Sequence, residues 1–477
     1  MLAKMQSDGD TIAAIATPPG IGAIGIVRFS GSEAKGILAR MVQPLSPRFK
    51  DFRPWQLHRA RALDWHGTAL DDVLAVFMPG PQTFTGEDTA EIQCHGGPVV
   101  VQAILESVLR HGARQAQRGE FTRRAFMNGR IDLSQAEAVA ELVAAPSREA
   151  LRYGLNRLDG LLGQRIRELA AKLEGLRTSL CLAVDFPEEE TEVLEPLALS
   201  AAVDEAIGAL QRLLAGSRRA NVMQQGALVV LAGAVNAGKS SLLNALLGRN
   251  RALVTAIPGT TRDYLEEACD LMGVPVRLID TAGLRRGGEA GLEAVERLGM
   301  VRSREKLAEA DAILLVLDGA RLGDEGAAAL SCPDPAAEEV LNAVGATPML
   351  VVWNKCDVCM PTVFPPRWLE KQSCCAVSAL SGAHVEELAA MLRALLLSST
   401  GGEPVEDGLA PNARQSLALE NALEELQALR EDVLAGQPYD CCAVRLEMAC
   451  EHLGDVTGVS SPAEVLNSIF AQFCIGK

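Results

Sequence analysis

The sequence predicts a multidomain α/β plus α chain in which a doubly wound sheet domain is inserted into a helical unit. Three observations carry that prediction. From about residue 224 to 398, short apolar runs alternate with helical patterns, the texture of a parallel sheet covered by helices. The glycine-rich stretch Gly233-Ala234-Val235-Asn236-Ala237-Gly238-Lys239-Ser240 joins one such run to a helix-forming segment. On either side, at 130–223 and 399–477, the pattern is helical, so one helical unit is read as interrupted.

Composition bounds the chemistry. A chain of 477 residues implies about three domains. With 48% apolar and 22% charged residues and no 18-residue apolar run, it reads as globular with no membrane association. Met1 to Asp10 lacks the apolar core of a secretion signal, so a cytoplasmic address is expected. The twelve cysteines are scattered, with adjacent pairs at Cys374-Cys375 and Cys441-Cys442, which suits a reducing compartment. Cys356 and Cys359 have no second pair at metal spacing, so zinc is not expected there. A net charge of −16 argues against nonspecific nucleic-acid binding by the whole molecule. Two arginine-rich stretches, Arg110, Arg114, Arg118, Arg123, Arg124 and Arg130, then Arg148, Arg152, Arg157, Arg165 and Arg167, are interleaved with acids and read as solvated or interface surfaces.

Residues 1–129 form the first domain, of α+β type. Strand patterns cover Ile12 to Thr17, Ala23 to Arg28, Val73 to Met78 and Ala90 to Gly97, and a helix carries Val99, Val100, Ile104, Val108 and Leu109. His95 before two glycines is read as structural rather than as a ligand. In 130–223 apolar residues recur at helical spacing through Leu151, Leu155, Leu158, Leu162, Ile166, Leu169, Leu173 and Leu176, and Asp185-Phe186-Pro187 ends a helix. The segment 224–398 supplies strands at Ala227 to Ala232, Val274 to Ile279, Ala312 to Leu317 and Met349 to Trp353, each followed by a polar motif where such sheets place ligands. A linker rich in Gly, Pro and acid opens 399–477, and a helix with Leu417, Leu419, Ala422, Leu423 and Leu426 follows.

The stretch Gly233 to Ser240 fits the phosphate-loop pattern G-x-x-x-x-G-K-S between strand and helix. Such a loop turns backbone N–H groups inward at a positive helix end. Asn236, Ala237, Gly238, Lys239, Ser240 and Ser241 are therefore nucleotide contacts, Lys239 reaching the terminal phosphates and Ser240 offering its hydroxyl to Mg²⁺. Asp280-Thr281-Ala282-Gly283 follows a strand, where the aspartate holds Mg²⁺ through water and the glycine N–H senses the γ-phosphate. Between them, Gly259-Thr260-Thr261-Arg262-Asp263 offers Thr261 as a second metal hydroxyl. In Asn354-Lys355-Cys356-Asp357, the Asp357 carboxylate accepts from N1–H and the 2-amino group of guanine, donors that adenine lacks. Ser378-Ala379-Leu380 completes the base pocket, and the four motifs in order define a GTPase. Leu284 stands where a Ras-like protein has its water-orienting glutamine. Asn236 is placed to help hold a monovalent cation beside the phosphates.

With those motifs placed, the chain resembles the MnmE (TrmE) family of bacterial tRNA-modification GTPases over essentially its full length. The resemblance rests on Ala16-Thr17-Pro18-Pro19-Gly20, Phe84-Thr85-Gly86-Glu87-Asp88, His95-Gly96-Gly97 and Arg118-Gly119-Glu120-Phe121-Thr122. It continues through Asp185-Phe186-Pro187 and Gly259 to Asp263 and ends on Phe473-Cys474-Ile475-Gly476-Lys477. It implies a dimerising N-terminal domain that binds a 5-formyl-tetrahydrofolate-type one-carbon donor, a discontinuous helical domain and an inserted Ras-like GTPase domain. It further implies a homodimer that forms a heterotetramer with an MnmG-type flavoprotein and modifies C5 of the wobble uridine of tRNA with an aminomethyl or carboxymethylaminomethyl group.

Residue by residue, the resemblance implies folate contacts at Arg28, Glu91, Arg130 and Lys477, with Arg130 where relatives can carry lysine and Cys474 near the pocket. Potassium would be held by Asn236, Thr255, Ile257 and Thr260, in a GTP-binding loop running Thr255, Ala256, Ile257, Pro258, Gly259, Thr260, Thr261. The water-orienting glutamate would be Glu296 in Val295 to Gly299, although the long loop 285–291 leaves Glu289 and Glu293 as competitors. Val235 replaces a common proline. Two other readings share the motifs: an Era/Der-like ribosome-assembly GTPase switch, which should carry a basic RNA-binding appendage, and a GTP-binding scaffold without significant turnover.

Overall fold

The structure, a computed structural model, describes residues 9–185, 196–249, 266–280, 306–320, 335–343, 347–359, 372–399 and 409–476. The chain divides into two compact units, the first comprising 1–140, 157–204 and 421–477 and the second 141–156 and 205–420.

In the first unit, β1 (Ile12–Ile15), β2 (Ile24–Ser30), β3 (Val42–Pro44), β4 (His58–Leu63), β5 (Ala69–Met78), β6 (Thr89–His95) and β7 (Arg114–Gln115) form a sheet in the order β3-β4-β5-β6-β2-β1-β7. All pairs are antiparallel except β1 with β7. Strand alternation sets the two faces. Ala13, Val27, Phe29, Ala75, Phe77, Ala90 and Ile92 pack on α1 (Ala34–Met41) and α2 (Pro98–Arg110) through Ile37, Leu38, Ile104 and Val108. Ile12 and Ala14 face the other way and pack on Ala116 and on Phe121 of α3 (Glu120–Met127).

Helices α4 (Leu133–Ala144), α5 (Arg148–Leu158) and α6 (Leu161–Asp185) follow. The apolar stripe predicted from Leu151 to Leu176 is not one stripe. Gly160 takes φ +80° between α5 and α6, and Leu151 and Leu155 are exposed, whereas Leu162, Ile166, Leu169 and Leu173 are buried. A left-handed residue cannot continue a right-handed helix, so the stripe restarts beyond it. The remaining elements of the helical region are α7 (Pro196–Ala215), α8 (Ser217–Gln225), α12 (Ala413–Leu434), α13 (Tyr439–Thr457) and α14 (Ala463–Ala471). Helix α6 packs along α13, whose Leu446, Ala449, Leu453 and Val456 are buried. Past α14, Phe473 joins Phe470, Leu133 and Ala136 in a small core.

In the second unit, β8 (Ala227–Ala232), β9 (Glu266–Leu271), β10 (Val274–Asp280), β11 (Ala312–Asp318), β12 (Met349–Asn354) and β13 (Ser373–Ala376) lie in the order β13-β12-β11-β8-β10-β9. The ladder is parallel throughout except for β9, which pairs antiparallel to β10. Helices α9 (Lys239–Arg249) and α11 (Val385–Ser399) cover one face, where Leu242, Leu246, Leu388 and Leu392 meet Val229, Leu231, Leu314 and Val352. On the other face Val230, Ile313, Leu315 and Trp353 meet Leu307 and Ala337, the latter on α10 (Pro335–Ala343). Every residue of β8 is buried, as a central parallel strand with both faces covered requires. Residues 141–156, 205–223 and 409–420 cluster with this sheet, and Tyr153, Ala220 and Met223 join its core.

Candidate nucleotide site

The loop from β8 to α9 owes its shape to two glycines. At Gly233, with φ +136°, a Cβ would stand 2.2 Å from the Val316 carbonyl oxygen; at Gly238, with φ +93°, it would stand 2.1 Å from Asn354 Nδ2. Asn236 adopts φ +68°, a conformation asparagine tolerates better than most residues, and is exposed. Lys239 is buried, and its Nζ donates to the carbonyls of Gly233 at 2.9 Å and Ala234 at 2.7 Å. The ammonium is thus held within the loop's own curvature at the head of α9. Ser240 Oγ donates to Asp280 Oδ2 at 2.5 Å, uniting the phosphate-loop hydroxyl with the carboxylate at the end of β10. A hydroxyl and a carboxylate are the hard oxygen donors that Mg²⁺ prefers, so these two residues fit that ion.

Asn354 ties the site together. Its side chain is buried; Nδ2 donates to the Ala237 carbonyl at 2.9 Å and Oδ1 accepts from Ala379 N at 3.0 Å. One amide therefore joins the phosphate loop to the Ser378-Ala379-Leu380 turn. Ser378 is buried and its Oγ accepts from Ser381 N at 3.1 Å, while Leu380 is exposed. Lys355 takes φ +64° and its Nζ donates to Asp318 Oδ2 at 2.6 Å. Asp357 is exposed, two residues beyond, and Ser241 is exposed on the first turn of α9. Asn236, Ala237, Gly238, Lys239, Ser240, Asp280, Asn354, Lys355, Asp357, Ser378, Ala379 and Leu380 thus all sit at the carboxyl ends of parallel strands or in the loops and first helical turn that follow them.

Thr255, Ala256, Ile257, Pro258, Gly259, Thr260, Thr261, Thr281, Ala282, Gly283, Leu284, Glu289, Glu293, Glu296 and Lys477 lie outside the described residues. Asp318 is the residue that sequence reasoning passed over. The sequence shows only a polar residue ending an apolar strand; its place beside Asn354 comes from the ladder.

In the first unit Arg28 and Glu91 face each other on β2 and β6, with Nε to Oε1 at 2.7 Å. Ser30, two residues along β2, meets Thr85 Oγ1 at 2.7 Å and donates to Glu87 at 2.9 Å. The Arg130 stem lies over Gly86 of that same loop, so a Cβ on Gly86 would come 3.2 Å from Arg130 Cγ. The chain end is anchored nearby: Arg118 Nε donates to the Phe473 carbonyl at 3.0 Å, and Gly476 packs on the Ile15 carbonyl. Arg28 and Glu91 are thus brought into contact, whereas Arg130 packs on the 84–88 loop and Lys477 lies outside the described residues. Cys474 is exposed, and exposed His95 holds Asp71 through Nδ1 at 2.7 Å.

The reading of the arginines as solvated surface needs correction at two positions, since Arg124 and Arg157 are buried. Arg124 donates to Asp10, Glu87 and Glu120, charges that offset its desolvation.

A parallel sheet with one antiparallel edge, a phosphate loop after its central strand and an Asn-Lys-x-Asp motif whose asparagine is buried at a strand end define a Ras-like P-loop GTPase. The model of the GTP-binding protein TrmE N-terminus matches residues 11–130, and that of the MnmE helical domain matches 133–474. The tRNA modification GTPase MnmE of Nitratidesulfovibrio vulgaris strain DP4 is 52% identical, the alignment covering 99% of this chain and 100% of the relative. The proteins of the same name from Lawsonia intracellularis and Chloroflexus aurantiacus are 46% and 41% identical, each over 98% of this chain and 100% of the relative. The chain belongs to the MnmE (TrmE) family of tRNA modification GTPases. A solved Era complex with MgGDPNP and a 16S ribosomal RNA fragment covers 42% of this chain at 26% identity and a TM-score of 0.28.

Proposed function

We propose that this chain hydrolyses GTP to drive a conformational cycle that serves modification of tRNA at C5 of the wobble uridine. The observation that carries the reading is the double tether of Asn354, which fixes a guanine-type strand end to the phosphate loop in a chain matching its family along its whole length. GTP supplies timing and conformational work rather than a transferred atom. Lys239 neutralises the terminal phosphates, Ser240 with Thr261 and Asp280 serves Mg²⁺, and Asp357 selects guanine. Asn236, with Thr255, Ile257 and Thr260, takes K⁺, whose charge stands in for an arginine finger; Asn236 is exposed on a left-handed backbone, so its amide oxygen is accessible to a cation.

The modification chemistry belongs to the first unit. Arg28, Glu91, Arg130 and Lys477 bind the 5-formyl-tetrahydrofolate-type donor, and the Arg28–Glu91 pair offers a donor and an acceptor suited to such a mixed polar ligand. The protein acts as a cytoplasmic homodimer with an MnmG-type flavoprotein. Residues 1–129, 130–223 with 399–477, and 224–398 are the proposed folate, helical and GTPase domains. Among the described residues no helix is long and apolar enough to cross a membrane.

Nucleoside analysis of tRNA from cells lacking the protein tests the biological reading: loss of the C5 modification is expected, and an intact wobble nucleoside would overturn it. The base pocket is tested by Asp357→Asn, whose amide can donate to the 2-oxo group of xanthine. The variant should prefer xanthine nucleotides, and unchanged guanine selectivity would remove Asp357 from the pocket.

A further inference from the structure

We infer that Asp318 is a positioning residue for guanine-nucleotide binding, acting through Lys355; the inference rests on the base-pocket reading above. Lys355 follows the last residue of β12 with φ +64°, so the chain turns off the strand axis and the side chain leaves the sheet at the carboxyl edge. A lysine stem at such a position offers an apolar shelf to a flat base, but four rotatable bonds leave it unordered unless its head is held. Asp318 holds it, with Oδ2 accepting from Lys355 Nζ at 2.6 Å. The pair is partly shielded, with the carboxylate side chain 18% and the lysine 34% exposed.

Asp318 is itself fixed by three features. It ends β11 in register with Asn354, the residue that ties the phosphate loop to the Ala379 turn. Its other oxygen accepts from Ala320 N at 3.1 Å. The next residue, Gly319, lets the two strand ends converge: a Cβ there would stand 2.2 Å from Trp353 Nε1 and 2.5 Å from the Asn354 carbonyl oxygen. The carboxylate is thus rigid before the lysine meets it, and the lysine is ordered before the base arrives. Ordering the shelf in advance reduces the entropy lost on binding.

The test is a double-mutant cycle on the full chain, read by dissociation of a fluorescent GDP analogue in Mg²⁺ buffer. Asp318→Asn should speed dissociation about tenfold, the scale of one charge-assisted hydrogen bond. In a Lys355→Ala background the same change should do nothing further, because the lysine through which it acts is gone. Asp318→Glu, which keeps the charge, should recover part of the effect. Unaltered dissociation in Asp318→Asn, or an equal acceleration in both backgrounds, overturns the inference. Asp357→Asn measured alongside separates the two levels. A switch to xanthine with no effect at Asp318 sinks the positioning role alone, and no switch sinks the base pocket beneath it.

Discussion

Arg124 brings three stretches of chain together through one guanidinium. It meets Asp10 at 2.6 Å, Glu87 at 3.1 Å and Glu120 at 3.2 Å, with only 9% of its side chain exposed. Arg114 adds contacts to Asp10 and Glu120 at 2.7 Å each. Burial alone would raise the pKa of Asp10 and Glu120, but the hydrogen bonds and charges of Arg114 and Arg124 more than offset it and hold both below their ordinary values. A depressed folded-state pKa stabilises the fold above the unfolded pKa and is lost as pH falls through the folded value. The contribution is therefore complete at neutral pH, begins to fall near the ordinary carboxylate range of about pH 4, and is gone only once the pH has dropped through the depressed folded values. Arg124→Met leaves half-buried carboxylates short of a partner and should cost on the order of 3 kcal/mol. It should also move the acid transition, followed by circular dichroism, to higher pH; an unmoved transition would show that the network contributes nothing. Sequence could register only the local part of this arrangement. Glu120 and Arg124 are four apart and read as a helix-surface pair, whereas Glu87 is 37 and Asp10 is 114 positions away.

Between elements, the approach of α2 to the first sheet depends on Gly25. Its backbone is ordinary strand, yet a Cβ would stand 2.3 Å from Val101 Cγ2. Val101 is β-branched and buried, so it has little freedom to retreat. Gly25→Ala should destabilise the protein by about 1–3 kcal/mol, and Val101→Ala in the same chain should cost less than the sum of the two single changes because it deletes the methyl that clashes. Additive thermal shifts would place the cause elsewhere. Nothing local marks Gly25, since its contact lies on another element. The phosphate loop was legible for the opposite reason: eight consecutive residues carry the glycines, the lysine and the serine, and neighbouring periodicity names the strand and helix. The pairing of Lys355 with Asp318 spans 37 residues and became visible only when β11 and β12 were placed side by side. The helix break after Leu158 is hidden in the sequence because leucine spacing continues across Gly160 while the backbone does not.

At the scale of the molecule, the decisive matter is how a GTPase with Leu284 in place of the usual glutamine activates water. A leucine side chain neither donates nor accepts, so another group must orient the nucleophile, and Glu296 is the proposed one. Glu296→Ala should leave nucleotide affinity within about twofold while slowing single-turnover hydrolysis by about 100-fold or more, the usual weight of a general base. Replacing K⁺ by Na⁺ should slow the wild-type protein in parallel, and Asn236→Ala should abolish that difference without removing Mg²⁺-dependent binding. If Glu296→Ala turns over normally, the role passes to Glu289 or Glu293, each testable by the same assay. If hydrolysis is slow and indifferent to both the cation and all three glutamates, the chain is a GTP-binding scaffold. The coupling is then read in cells: a Glu296→Ala protein that still binds GTP should lose wobble-uridine modification if the cycle drives it, and should retain it if bound nucleotide alone suffices.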